Sequence, residues 1–406
     1  MDLDKLIKSK YFCVLPFVRQ TILYDGDYRI CCYSGTEHLE YAEDNVRAFN
    51  TDQLKQIRQS LLREEFPNIC RDCKKLADVG LTSPAQIETE HWVEGPPMRE
   101  KLMSVINDFT AGIDILPTWL DVRYSNVCNL KCRTCNGANS SAIQAEYNKI
   151  SKFYTDDKIG YHPIKQVQDH KFPTVDKQLF GIYFAGGEPF LDENILNFLE
   201  TWPDPSTSIV ISSNLTIINE KLINSLTRFE NITIMASIDA HGALNDYIRN
   251  GSKFNQLIDN IEQLSAIPNV QVSIHSVLNM INIFDMDKLV VYLKDRFPNL
   301  VHKIASVANE EHLYVNCLPY ELRNQALESL DRIIQLANNH TFASGSEIKL
   351  NVEAAIYNLT QQNFNADGFD RFIKYSQMFD KLRDENLSIV VPQYAPYYNV
   401  QNNTSS

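Results

Sequence analysis

The chain has 406 residues, 44% of them hydrophobic and 22% charged, with 51 acidic side chains against 38 basic ones and a net charge of −13. That length allows two to three structural units, and the balance of residues is ordinary for a globular protein. The acidic excess disfavours nucleic acid as a partner, since a phosphate-binding surface needs Lys and Arg. No run approaches the roughly 18 apolar residues of a membrane span, and the start, Met1 to Lys10, lacks the apolar core of a secretion signal. A cytoplasmic location without a membrane partner is therefore expected. Nine cysteines in that setting predict metal ligands rather than disulfides.

Residues 1–100 are rich in turns and hold Cys13, Cys31, Cys32, Cys70 and Cys73. Tyr24-Asp25-Gly26-Asp27 is a hairpin-turn signal, which places Cys31 on a strand returning beside Cys13. Side chains alternate along a strand, so only one of Cys31 and Cys32 can face Cys13; the Gly26-x4-Cys31 spacing selects Cys31. A helix is predicted over Thr51–Arg63 from the spacing of Leu54, Ile57, Leu61 and Leu62. Cys70-x2-Cys73 then completes a quartet able to hold a four-iron cluster or, alternatively, a zinc ion. Gly95-Pro96-Pro97 marks a boundary.

From 115 to 310, short apolar strands alternate with helices. Strands are predicted at Trp119–Tyr124, Phe180–Ala185, Ser208–Ser213, Ile232–Ile238, Val270–Ser276 and Val301–Ser306. Helices are predicted between them at Ser140–Phe153, Glu193–Thr201, Glu220–Thr227, Lys253–Ser265 and Met286–Arg296. Such βα units imply parallel strands wound right-handedly, with chemistry at the carboxyl ends of the strands. Two motifs fall there. Cys128-x3-Cys132-x2-Cys135 follows the first strand, and Gly186-Gly187-Glu188-Pro189 follows the second. Three thiolates can hold three corners of a four-iron cluster that normally takes four, which leaves one iron open. A structural zinc with a distant fourth ligand is the alternative. Glycines admit close backbone approach to a ligand, and the Glu188 carboxylate can accept a charge-assisted hydrogen bond from an ammonium.

Together these two motifs resemble the radical S-adenosylmethionine (radical SAM) superfamily. The resemblance implies a partial (β/α)6 TIM-like barrel, an α/β fold, with S-adenosyl-L-methionine chelating the open iron of a [4Fe–4S] cluster held by Cys128, Cys132 and Cys135. It implies cofactor contacts from Gly186, Gly187, Glu188 and Pro189, and from the strand ends carrying Ser213, Asn214, Ser237 and Asp239. The family usually has an aromatic residue just before the third cysteine, where this chain has Thr134. The quartet Cys13, Cys31, Cys70 and Cys73 resembles the twitch and SPASM modules that hold an auxiliary [4Fe–4S] cluster, although those modules usually follow the barrel. The domain plan is then 1–100 for the auxiliary module, 115–310 for the barrel and 311–406 for a helical C-terminal region, with helices at Tyr320–Asn338 and Phe369–Asp384 and a polar tail at 401–406. The implied reaction is reductive cleavage of S-adenosylmethionine to a 5′-deoxyadenosyl radical that abstracts a hydrogen atom. An electron donor such as flavodoxin or ferredoxin and a peptide or protein substrate are the implied partners; a small metabolite or carbohydrate is the alternative substrate. A non-catalytic zinc-binding interaction protein is the alternative of another class.

Several residues carry two readings. His275 lies on the polar side of its strand with Ser273, as a ligand contact or a structural histidine. Asp121 and Arg123 alternate along the first strand and hold either substrate or each other. Cys317 reads as a small core or surface thiol rather than a hydrogen-atom donor, and His38, His91 and His340 as surface residues.

Overall fold

The computed structural model describes residues 3–24, 26–31, 34, 39, 45–80, 82–150, 179–306, 310–338 and 345–398. Asp25, Cys32, His38, His340, the continuation of the expected helix over 151–153 and the tail 401–406 lie outside the described residues.

Eight strands form one sheet: β1 (Arg19–Ile22), β2 (Tyr28–Arg29), β3 (Trp119–Val122), β4 (Gly181–Phe184), β5 (Ser208–Ser213), β6 (Ile232–Ser237), β7 (Val270–Leu278) and β8 (Val301–Ser306). Their order is β2-β1-β3-β4-β5-β6-β7-β8, parallel throughout except for the β1–β2 hairpin. β3 to β8 are the six strands expected from sequence. The intervening helices also match, at Ser141–Ile150, Glu193–Thr201, Glu220–Leu226, Phe254–Ser265 and Met286–Arg296. Local chemistry sets their starts: the Asp192 carboxylate accepts from Asn194 N at 3.0 Å, and the Asn219 side chain accepts from Leu222 N at 2.9 Å.

The sheet is two-faced because its strands alternate. Leu120, Val122, Ile182, Phe184, Ile209, Ile211, Ile232, Ile234, Val272 and Ile274 are buried in the main core, which the helices complete. Fully burying each such side chain contributes about 1.5–3 kcal/mol. The opposite positions, Trp119, Asp121, Tyr183, Val210, Ser212, Thr233, Met235, Ser237, Ser273, His275 and Lys303, make a mostly polar face. Parallel strands covered on both faces would read as continuous apolar runs instead.

The hairpin expected around Gly26 forms and joins β1 to β2. However, β2 ends at Arg29, so Cys31 lies just past the strand rather than on it, and Cys13 precedes β1. The pairing of β1 with β3 was not expected. Arg19-Gln20-Thr21-Ile22 has no apolar run, and it becomes a strand by pairing in register with β3, Thr21 opposite Asp121. The segment before β3 has its own core, built from Phe12, Phe17, Leu54, Ile57, Leu61 and Trp92 among others. Gly95-Pro96-Pro97 opens the helix Pro96–Thr110, with Gly95 as its N-cap, and Leu102, Val105 and Ile106 of that helix belong to the same core. The amino-terminal core thus runs past the expected boundary to Ile115.

The carboxyl-terminal region is helical as expected, with Tyr320–Asn338, Gly345–Gln361 and Ala366–Arg383. Cys317 sits with no exposed surface in the main core. His91 is exposed. No helix among the described residues is long and apolar enough to cross a membrane.

Candidate functional site

The loop after β3 carries Cys128, Cys132 and Cys135, and its backbone is pinned from three sides. Lys131 N donates to Asn250 O at 2.9 Å and Arg133 N to Ile248 O at 2.7 Å. On the β4 side, Gly187 N donates to Ser125 O at 3.1 Å and Glu188 N to Val127 O at 2.7 Å. Here the glycines are required by the loop itself: a Cβ on Gly186 (φ 119°) would lie 2.7 Å from Ser125 O, and one on Gly187 would lie 2.1 Å from Val127 O.

The third anchor is Arg133, whose side chain is fully buried between the motif cysteines in sequence. Its guanidinium stacks 3.8 Å from the Tyr247 ring centroid and pairs with Asp380 at 2.5 Å and Glu385 at 2.6 Å. Arg383 donates to Lys131 O at 2.8 Å and pairs with Glu146 at 2.7 Å, and Tyr375 donates to Arg133 O at 2.9 Å. The helix Ala366–Arg383 therefore braces the loop from behind. Arg133 reads from sequence as a spacer residue, and nothing local signals its role.

The three thiols line one cavity, together with Gly186, Gly187, Ser213, Asn214 and Ser237 from the strand ends. Arg123, Thr134, Tyr183 and Arg249 complete the walls that matter chemically. Leu130 N donates to Cys128 Sγ at 3.4 Å, and Asn214 Nδ2 lies 3.9 Å from it. Burial pushes all three thiols up, Cys132 to about 11, and for Cys135 the neighbouring Cys132 and Cys128 add to it. Thiols so placed become thiolates when a positive centre compensates them. Arg249 supplies one such charge. Its Nη1 donates to Asp239 Oδ2 at 3.0 Å, and its buried Nε has no hydrogen-bond partner in the described structure. Sequence reasoning missed Arg249, an isolated cation ten positions after Asp239 with no motif around it.

Four expected contact residues, Glu188, Pro189, Asp239 and His275, are not among those lining the cavity. The Glu188 carboxylate, 2% exposed, accepts from Ser213 Oγ at 2.7 Å, Asn214 N at 2.7 Å and Phe190 N at 3.1 Å. It ties the Gly-Gly turn to the end of β5, and burial, partly offset by those donors, raises its pKa. Pro189 begins the short 3-10 turn Pro189–Leu191 beside it and is buried. The Asp239 carboxylate is fully buried, accepts from Val277 N at 2.8 Å and holds Arg249. His275 stays on the polar face, in register with Ser237 on β6 and Lys303 on β8, and burial lowers its pKa to about 4, with Lys303 adding to the effect.

A second cavity lies in the amino-terminal region. Cys13, Cys31, Cys70 and Cys73 all line it, with Leu15, Ile30, Phe66 and Ile69 forming an apolar surround. Cys70 closes the short helix Asn68–Cys70 and Cys73 stands in the first turn of Arg71–Asp78. Burial raises the Cys13 pKa, with further contributions from Cys31, Cys70 and Cys73. Among the described residues, no three His, Cys, Asp or Glu side chains are gathered as a single metal ion would need.

No family model matches the chain, and no curated protein matches it. Among solved structures, SuiB of Streptococcus suis bound to S-adenosylmethionine is similar with a TM-score of 0.38 and 17% identity, over 77% of this chain and 66% of that one. The chain thus spans just under two thirds of SuiB in that comparison. SuiB bound to its precursor peptide SuiA gives 0.37 and 15%, over 78% and 70% of the two chains. The protein anSMEcpe with bound AdoMet and the Cp18Cys peptide gives 0.38 and 16%, over 56% and 62%. Likeness at this level assigns no family.

Proposed function

We propose that the chain is a radical SAM enzyme with one auxiliary [4Fe–4S] cluster, acting on a peptide or protein side chain. The observation that carries this reading is the shared cavity. Three cysteines of one loop, a Gly-Gly turn and two further strand ends meet at the carboxyl edge of parallel strands. That arrangement suits a cluster with an open iron, and the one-sided packing of the sheet suits a partial barrel whose polar face meets substrate.

When bound, the cluster and S-adenosylmethionine supply one-electron cleavage of the cofactor and a radical that removes a hydrogen atom from substrate. The chain's own residues hold and shield. Cys128, Cys132 and Cys135 are the proposed ligands. Gly186 and Gly187 present bare backbone to the cofactor, with Asn214 and Ser237 as polar contacts. Glu188 keeps the Gly-Gly turn docked on Ser213 and Asn214, and Asp239 orients Arg249 toward the thiols. His275 is a neutral hydrogen-bonding group near neutral pH. Cys13, Cys31, Cys70 and Cys73 are proposed to hold the auxiliary cluster, which has no open position and so serves electron transfer. A flavodoxin or ferredoxin is the proposed reductant.

Metal analysis after anaerobic purification tests the whole reading. Brown protein with about eight iron and eight sulfide per chain is expected for two four-iron clusters. Changing Cys128, Cys132 and Cys135 together to Ala should remove about half of the iron and abolish 5′-deoxyadenosine formation under dithionite. Cys70→Ala with Cys73→Ala should remove the other half and spare that cleavage. Colourless protein holding zinc would instead establish the interaction-protein alternative.

A further inference from the structure

Arginines gather on one face of the sheet's first edge. Thr21 is the register partner of Arg29 on β2 and of Asp121 on β3, and its hydroxyl donates to Asp121 Oδ2 at 3.4 Å. Residues two apart on a strand share a face, which adds Arg19, Trp119 and Arg123. It is the polar face: Tyr183 is the register partner of Asp121, and Tyr183 and Arg123 both line the three-cysteine cavity.

This wall has donors in excess. Nε of Arg19, Arg29 and Arg123 and Nε1 of Trp119 are buried without hydrogen-bond partners among the described residues, against one such acceptor there, Asp121 Oδ1. Among the described residues, the ion pairs of this wall are long, Arg19 to Glu88 at 3.5 Å and Arg123 to Asp121 at 3.7 Å, at or beyond hydrogen-bond range. Among the described residues, three guanidiniums on this wall stand with two carboxylates, Glu88 and Asp121, a local positive balance in a chain of net charge −13. Buried donors left unpaired are costly, and here they gather on one face.

We infer that this wall is an anion subsite that receives a carboxylate of the substrate, with Arg29 and Arg123 as donors. A single excess positive charge matches a monoanion, and a planar carboxylate matches the guanidinium fork. A phosphate dianion would be repelled by Asp121 and Glu88. The inference rests on the radical SAM reading, because that reading makes the polar face the place where substrate lies, next to the cysteines.

The test uses anaerobically prepared, cluster-loaded protein without reductant, so that no turnover occurs. Calorimetry compares N-acetyl-L-glutamate α-amide, its neutral isostere N-acetyl-L-glutamine α-amide, and inorganic phosphate. The carboxylate should bind roughly tenfold more tightly than the isostere. Arg29→Gln should abolish that preference and Arg29→Lys should restore part of it. In the unaltered protein, the carboxylate probe should protect Arg29 and Arg123 from phenylglyoxal, mapped by mass spectrometry, which covers the case of a variant that fails to fold. Equal binding of the two amides, no protection, or a preference that survives Arg29→Gln overturns the subsite. Tighter binding of phosphate overturns the choice of carboxylate. Formation of 5′-deoxyadenosine is measured separately. Its absence with intact carboxylate binding removes the radical SAM reading alone, and its presence without carboxylate binding removes the subsite alone.

Discussion

Arg133, inside the cysteine motif, and Asp380, on the carboxyl-terminal helix, meet at 2.5 Å across 247 positions of sequence, with both side chains buried. The loop that carries the cysteines is thus held by a distant part of the chain. Asp380 also accepts from Tyr247 Oη at 2.9 Å and Leu387 N at 2.6 Å, and Tyr398 donates to it as well. Asp380→Asn should cost about 1–3 kcal/mol, the loss of a buried charged hydrogen-bond partner while Glu385 still compensates Arg133. Urea unfolding should show that loss, and iron content should fall in step, since the loop loses its brace.

Gly187→Ala should destroy the cysteine loop specifically. The new Cβ would lie 2.1 Å from Val127 O, a backbone atom that cannot yield without moving the loop. The expected outcome is loss of about four of about eight irons with far-ultraviolet circular dichroism retained. Gly112→Ala is the control: its φ is 78° but nothing lies within 4 Å of the added methyl. It should cost about 1–2 kcal/mol from backbone strain alone and leave the iron in place.

Glu188→Gln should destabilise the protein even without cofactor. Three donors converge on this carboxylate, two of them main-chain N–H groups on different oxygens. An amide must turn its NH2 toward one of those N–H groups, leaving a buried donor unpaired at about 1–3 kcal/mol. Thermal unfolding of the metal-free protein measures it. An unchanged Tm would mean that the contacts to Ser213 and Asn214 carry no weight.

Glu310 gives a pH signature. Burial raises its pKa to about 7, and His312, 4.0 Å away, is lowered to about 4 by its own burial. A carboxyl raised in the fold leaves stability intact at low pH. Stability then falls as pH rises from the ordinary carboxylate range through about 7, because the unfolded chain ionises first. His312 acts in the opposite direction over about 4 to 6.5. Glu310→Gln should therefore be more stable than the parent above pH 7, by about 1–3 kcal/mol, with little difference at pH 5. Tm measured from pH 5 to 8 checks this, and a constant difference across that range would contradict it.

What could be seen in the sequence was what is contiguous in it. The six strands from Trp119 to Ser306 announce themselves by alternation, and the cysteine spacing and Gly186-Gly187 by short-range pattern. The four amino-terminal cysteines line one cavity as their spacing suggested. What stayed hidden depends on distant partners. The hairpin of β1 with β2 is signalled locally, but the pairing of β1 with β3, a hundred positions away, is not. Arg133 and Arg249 look like solvated charges until Asp380 and Asp239 are placed beside them. Glu188 looks free to meet a ligand until the end of β5 folds over it.

The pairing of β1 with β3 also sets the order in which the molecule can be assembled. During synthesis β1 emerges well before the strand it needs, so its hairpin with β2 must wait as a two-stranded ribbon of marginal stability. Closing so long a loop is slow, as in other topologies of high contact order. Conversely, a fragment starting after Ile115 would leave β3 as an unprotected parallel edge, a template for joining other chains. The amino-terminal segment therefore serves as the edge guard of the sheet, and cutting it away should yield aggregate rather than a smaller soluble unit.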